Sequence, residues 1–251
     1  KLVFEGPGND PFIVFDGADL DATLDDLVDG KYRYSGQTCT APERILVQAG
    51  VYEQFLQRFV ERTQALRIGD PADPETDVTP LASRLAVENI RAHLADAAAQ
   101  GGRILCGGQI DGMLVEPAIV SDAMPAMRGM QEESFGPVSY VARFETPGEA
   151  LALARDNRYG LRAAVWGSDE AATVAQALTG ADYMEEVPDL VFGHFGTVGL
   201  NQPRRRSWRR ALITRAVGGY GYSGWAWETR DGRFVLRQGP KLLSLETAKA
   251  G

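Results

Sequence analysis

Among the side chains able to do covalent chemistry, the thiol of Cys39 has the most permissive setting. It lies in Tyr34-Ser35-Gly36-Gln37-Thr38-Cys39-Thr40-Ala41, whose small polar residues leave backbone N–H groups open to a ligand. A thiol so placed becomes a nucleophile once something lowers its pKa. The same residue type is a common small apolar filler, and the local sequence leaves both readings open. Cys106, in Ile104-Leu105-Cys106-Gly107-Gly108, ends a strand-like run without polar neighbours and reads as filler. The two histidines stand in no motif: His93 falls mid-helix on a stretch expected to be exposed, and His194 in a Gly-flanked loop. A Cys–His hydrolase would need one of them beside Cys39. No Cys/His cluster has metal-ligand spacing, so no metal is expected. The chain has no Gly-x-Gly-x-x-Gly after a strand and no phosphate-cradling Gly-Lys-Ser/Thr loop. Gly218-Gly219-Tyr220-Gly221 lacks the strand–helix context that would make it one.

The elements that must position these residues alternate along the chain. Phe12–Phe15 reads as a buried strand, and Asp19 then caps a helix with Leu20, Leu24, Leu27 and Val28 on one face. Ile45–Val47 is a second strand, followed by a helix carrying Val51, Phe55, Phe59, Val60 and Leu66 that Gly69-Asp70-Pro71 stops. Asp70–Asp77 is an acidic surface loop. Ser83 caps a helix with Ala86, Ile90, Leu94 and Ala97, and short strands follow near Ile104 and over Val115–Val120. Val138–Phe144 is a strand, and Thr146-Pro147-Gly148-Glu149 reads as a capping box with Pro at the first helical position. Ala163–Trp166 (strand), Asp169–Leu178 (helix) and Thr197–Leu200 (strand) complete the pattern. Such alternation predicts an α/β layered domain with a mostly parallel sheet.

Composition bounds the rest. The 251 residues suffice for one large or two small domains with a buried core. Hydrophobic residues make up 44% and charged residues 24%, an ordinary globular balance. With 26 Lys and Arg against 34 Asp and Glu, the net charge is −8, which disfavours a nucleic-acid or anionic-membrane binder. No apolar run approaches the ~20 residues of a membrane helix. Two cysteines make no disulfide framework and point to a reducing compartment, taken as the cytoplasm. The opening Lys-Leu-Val-Phe lacks an initiator Met and a signal-peptide pattern, as if cut from something longer.

Taken together, several segments resemble the aldehyde dehydrogenase family, specifically its catalytic, C-terminal half. Phe4-Glu5-Gly6-Pro7-Gly8-Asn9-Asp10-Pro11 resembles the general-base motif, and Gly36-Gln37-Thr38-Cys39 matches the nucleophile motif at the family's usual separation. Glu132-Glu133-Ser134-Phe135-Gly136-Pro137-Val138 matches the motif that contacts the nicotinamide ribose. Asn157–Leu161, Gly196–Asn201 and Gly218–Gly224 follow in family order. Pro7 departs from the usual Leu-Gly continuation after Glu5, and Tyr183–Phe195 reads as an insertion.

The resemblance implies a division of labour. Cys39 is the nucleophile, forming a thiohemiacetal and then a thioester, and Glu5 activates the water that releases the carboxylic acid. Glu133 and Phe135 bind the nicotinamide-ribose end of NAD or NADP. Thr38, Thr40 and Arg206 are assigned to the substrate, Arg206 as a guanidinium anchor for a phosphorylated or carboxylated aldehyde. Residues 1–239 form the catalytic domain, with Lys1–Gly8 at the hinge to a missing cofactor-binding half. Residues 240–251 carry an oligomerisation strand, Pro240–Glu246, and a tail, which implies a homo-oligomer. Two other classes compete: a non-catalytic oligomerisation or binding module of the same fold, and a cofactor-independent thioesterase or esterase using Cys39 and Glu5.

Overall fold

The computed structural model describes residues 2–179, 195–203, 220, 221, 223–230 and 233–237. In chain order the elements begin with β1 (Leu2–Glu5), β2 (Asp10–Val14), α1 (Leu20–Tyr32), β3 (Pro42–Gln48), α2 (Tyr52–Gln64) and α3 (Arg84–Ala99). Next come β4 (Arg103–Cys106), β5 (Ile110–Asp111), β6 (Leu114–Val115), β7 (Ala118–Ser121), α4 (Arg128–Gln131), β8 (Val138–Phe144) and α5 (Pro147–Arg155). The rest are β9 (Tyr159–Gly160), β10 (Arg162–Trp166), α6 (Asp169–Thr179), β11 (Thr197–Leu200), β12 (Tyr220–Gly221), β13 (Gly224–Arg230) and β14 (Arg233–Arg237). Pro240–Glu246, His194 and Arg206 lie outside the described residues.

Seven strands form one sheet in the order β11-β10-β2-β3-β8-β7-β4, and every pairing is parallel except β4 with β7. The chain is therefore α/β with a mostly parallel sheet. Strand residues alternate between two apolar layers, as the two-residue period of a strand requires. Phe12, Val14, Ile45 and Val47 pack with Leu24, Leu27, Phe55 and Phe59 of α1 and α2. Ile13, Leu46, Tyr140 and Val165 face Ile90 and Leu94 of α3 and Val174 and Leu178 of α6. A separate antiparallel sheet pairs β1 with β13 and β13 with β14.

Most expected elements form with shifted ends, and the caps at Asp19 and Ser83 behave as read. Asp19 accepts from the N–H groups of Asp21 and Ala22, and Ser83 accepts from that of Ala86. Four expectations need correction. The helix expected to run to Gly69 ends at Gln64, leaving Leu66 partly buried beyond it. Val115–Val120 is split between β6 and β7, because Glu116-Pro117 intervenes and Pro cannot donate to a ladder. Thr146 accepts from the Glu149 N–H, but the Glu149 carboxylate takes the N–H of Glu145 rather than Thr146. His93 is fully buried, because it lies three residues after Ile90 on the inward face of α3.

Candidate active site

The site is assembled where the parallel strands begin. Asn9, Ala41 and Pro137 directly precede or lead into β2, β3 and β8, three neighbouring strands, so their loops lie side by side at one end of the sheet. Gly8 is the point where those loops meet. Its N–H donates to Glu133 Oε1 at 2.8 Å. Any Cβ at Gly8 would overlap the carbonyl oxygen of Cys39. Glu5 ends β1 three residues earlier, opposite Gly224 of β13. Its loop is held there by the Gly6 N–H on the Ser223 carbonyl (2.9 Å) and the Ser223 hydroxyl on the Pro7 carbonyl (2.6 Å).

The loop before Cys39 takes an unusual path. Tyr34, Ser35 and Gly36 all have left-handed φ values, 53°, 59° and 75°. Consecutive non-glycine residues rarely adopt that region, so external contacts must hold them. The Ser35 hydroxyl donates to the Thr79 carbonyl (2.8 Å) and accepts its N–H (2.9 Å), while Gln37 Oε1 accepts the Ala82 N–H (2.8 Å). A Cβ at Gly36 would overlap the Gly136 carbonyl, so this turn and the loop before β8 touch backbone to backbone. Cys39 itself is exposed, which sets aside the core-filler reading. Thr38 and Thr40 flank it, both partly buried.

The third loop carries Glu133 and Phe135. Burial pushes the Glu133 carboxyl up to about 8, with the Gly8 N–H opposing the shift. Phe135 also has a left-handed backbone, φ 51°, and the residue is 38% exposed. By contrast, burial raises the Cys106 thiol, and the thiol lies partly covered in β4. Burial also lowers His93, whose Nδ1 lies 3.3 Å from the Tyr140 hydroxyl. No group of three or more metal-ligating side chains occurs among the described residues.

Behind these loops lies a polar network that motif reading did not single out. Glu43, the second residue of β3, is only 1% exposed. Its carboxylate accepts from the Ser134 N–H (2.7 Å), the Ser134 hydroxyl (2.7 Å), the Phe135 N–H (3.0 Å) and Asn9 Nδ2 (3.1 Å). Lys31 Nζ, fully buried, lies 3.7 Å away. The Asn9 amide also donates to the carbonyls of Gly129 and Glu132, at 3.0 Å each. Next to Glu43, Arg44 donates to the Asn9, Leu153 and Ala154 carbonyls, and burial lowers its pKa to about 10. One signal was available: Glu43-Arg44 opens an otherwise apolar strand, and charged residues are buried only when partnered.

Against this geometry, the model of the aldehyde dehydrogenase family matches residues 1–232. The chain is 39% identical over 203 residues to the succinate-semialdehyde dehydrogenase [NADP(+)] of Deinococcus radiodurans, covering 77% of this chain and 43% of that protein. The crystal structure of an aldehyde dehydrogenase from Brucella melitensis biovar abortus superposes with a TM-score of 0.75 at 33% identity, over 88% of this chain and 42% of the other. Betaine aldehyde dehydrogenase from Staphylococcus aureus, solved in complex with NAD+, gives a TM-score of 0.75 at 29% identity, over 98% and 48%. The chain belongs to the aldehyde dehydrogenase family. It spans less than half the length of each of these relatives.

Proposed function

We propose that this chain is the catalytic part of an NAD- or NADP-dependent dehydrogenase that oxidises an aldehyde to a carboxylic acid. The observation that carries the reading is the convergence on Gly8 of the loops bearing Glu5, Cys39 and Glu133. The donor set suits the nicotinamide-ribose end of such a cofactor: Glu133 offers a half-buried carboxyl to ribose hydroxyls, and Phe135 offers an exposed ring on the same loop. NAD or NADP, when bound, supplies the hydride acceptor that turns a thiohemiacetal into a thioester.

This chain's own residues do the rest. The Cys39 thiolate adds to the aldehyde carbonyl, and the Cys39 N–H hydrogen-bonds the oxyanion. After oxidation, Glu5 takes a proton from water, which attacks the thioester and expels the thiolate. Thr38 and Thr40 border the aldehyde, and Arg206 anchors an anionic group on it. The relative named for succinate semialdehyde, an aldehyde with a carboxylate, supports that choice. We take the enzyme to be a cytoplasmic homo-oligomer in which residues 1–239 form the catalytic domain and Pro240–Glu246 joins subunits. No helix among the described residues is long and apolar enough to cross a membrane.

Glu5→Gln in the full-length protein tests the assignment. The first-turnover burst of NAD(P)H is expected to survive while steady-state turnover is lost. Loss of both would show that Glu5 serves thiol activation or cofactor placement instead.

A further inference from the structure

We infer that Glu43 is a positioning residue that sets the cofactor-ribose loop from the strand that follows the nucleophile. The inference rests on the proposed role of Glu133 and Phe135. Glu43 lies four residues after Cys39, and its side chain reaches the loop before β8, where it takes the N–H groups of Ser134 and Phe135. These are the two amides that directly follow Glu133. Holding them fixes where the Glu133 carboxyl emerges, and holds Phe135 in a left-handed conformation that a bulky residue does not adopt unaided. Through Asn9 the same carboxylate grips the residue after Gly8, whose own N–H is the partner of Glu133. One buried side chain thus sets the spacing between the nucleophile strand, the Gly8 turn and the ribose loop.

The choice of residue follows from hydrogen-bond capacity. Four donors converge on the two oxygens, and only a carboxylate accepts from four without donating. Lys31 supplies the counter-charge that lets a carboxylate stay in this buried position. Glutamine at position 43 would turn an NH2 group toward donors and leave Lys31 facing no negative charge there.

Three variants of the full-length protein test this: Glu43→Gln, the double variant Glu43→Gln/Lys31→Met, and Ser134→Ala. The first readout is hydrogen exchange of the Ser134 and Phe135 amides without cofactor. The second is the Kd for NAD(P)+ by fluorescence titration. Glu43→Gln is expected to speed exchange at both amides and weaken cofactor binding by about tenfold or more, in line with loss of hydrogen bonds to a charged group. The double variant removes the ammonium that has lost the Glu43 charge and regains thermal stability, yet keeps the weakened Kd; a merely structural role would let the Kd recover with the Tm. Ser134→Ala, which retains the Glu43–Lys31 pair, gives a smaller loss of roughly two- to fivefold and serves if Glu43→Gln does not fold. An unchanged Kd in the double variant, or in Ser134→Ala if neither Glu43 variant folds, overturns the inference. Glu133→Gln separates the two readings: if it also leaves the Kd unchanged, the ribose assignment fails, whereas if it alone weakens binding, only the role of Glu43 fails.

Discussion

At the carboxyl ends of the parallel strands the chain turns on Gly17, Asp122, Gly167 and Asn201, all with positive φ. These are residue types that visit the left-handed region readily. At the amino ends the left-handed positions include Tyr34, Ser35 and Phe135, which do not. The hydrogen bonding differs in the same way. The carboxyl end uses short links between neutral groups, such as the exposed Asp16 N–H on Gln48 Oε1 (2.7 Å) and the partly buried reciprocal pair between Gly167 and Asn201. The amino end buries Glu43, Asn9 and Lys31 in one network. Open α/β sheets commonly bind ligands beyond the carboxyl ends of their strands. Here strain and buried charge are concentrated at the opposite end, and the candidate site is found with them.

Substitutions at the two ends should therefore differ in kind. Gly8→Ala is expected to have the largest effect, about 3 kcal/mol or more of lost stability, because backbone on both sides of the overlap cannot yield. A chemical denaturation midpoint close to the parent's would show that the Gly8–Cys39 approach is looser than described. The next effect is pH-dependent. Glu133 sits near pKa 8 when folded and near an ordinary carboxyl value when unfolded, so between those values the folded state holds the extra proton. Its contribution to stability is full below the unfolded pKa and is lost as pH rises through about 8, at up to about 1.4 kcal/mol per pH unit. Subtracting the pH–stability profile of Glu133→Gln from that of the parent should isolate this slope, and a flat difference would remove the assigned burial effect.

Thiol reactivity comes third. Exposed Cys39 should be alkylated faster than half-buried Cys106, by about tenfold or more. Peptide mapping that finds Cys106 labelled first would sink the assignment of the nucleophile. At the carboxyl end, Gln48→Ala should change stability by no more than about 0.5 kcal/mol, since its partners Asp16 and Glu170 are exposed and water can replace it. A loss comparable to that of Gly8→Ala would erase the contrast between the two ends.

Much of the scaffold is legible from local sequence. Val138–Phe144 and Thr197–Leu200 form strands with the anticipated ends, because apolar and β-branched runs there are bounded by Gly or Pro. The loops bearing Cys39 and Glu133 are legible as motifs. Glu43 is not, because nothing within its own strand indicates that a main partner, Ser134, lies 91 residues further on. His93 misleads for a related reason: polarity suggests exposure, but the helical period turns it onto Tyr140 of β8. Local chemistry identifies elements and reactive groups. The partners of buried polar groups are fixed by strand order, which local periodicity does not encode.

That long separation bears on how the protein is made. A ribosome adding about 5–20 residues per second delivers Ser134 some 5–20 s after Glu43. Throughout that interval the thiol of Cys39 and the charge pair of Lys31 and Glu43 have already been synthesised, while the loop that will share their site has not. A nascent chain halted before residue 134 carries the Cys39 thiol and the Glu43 carboxylate without the Ser134 and Phe135 amides that donate to that carboxylate.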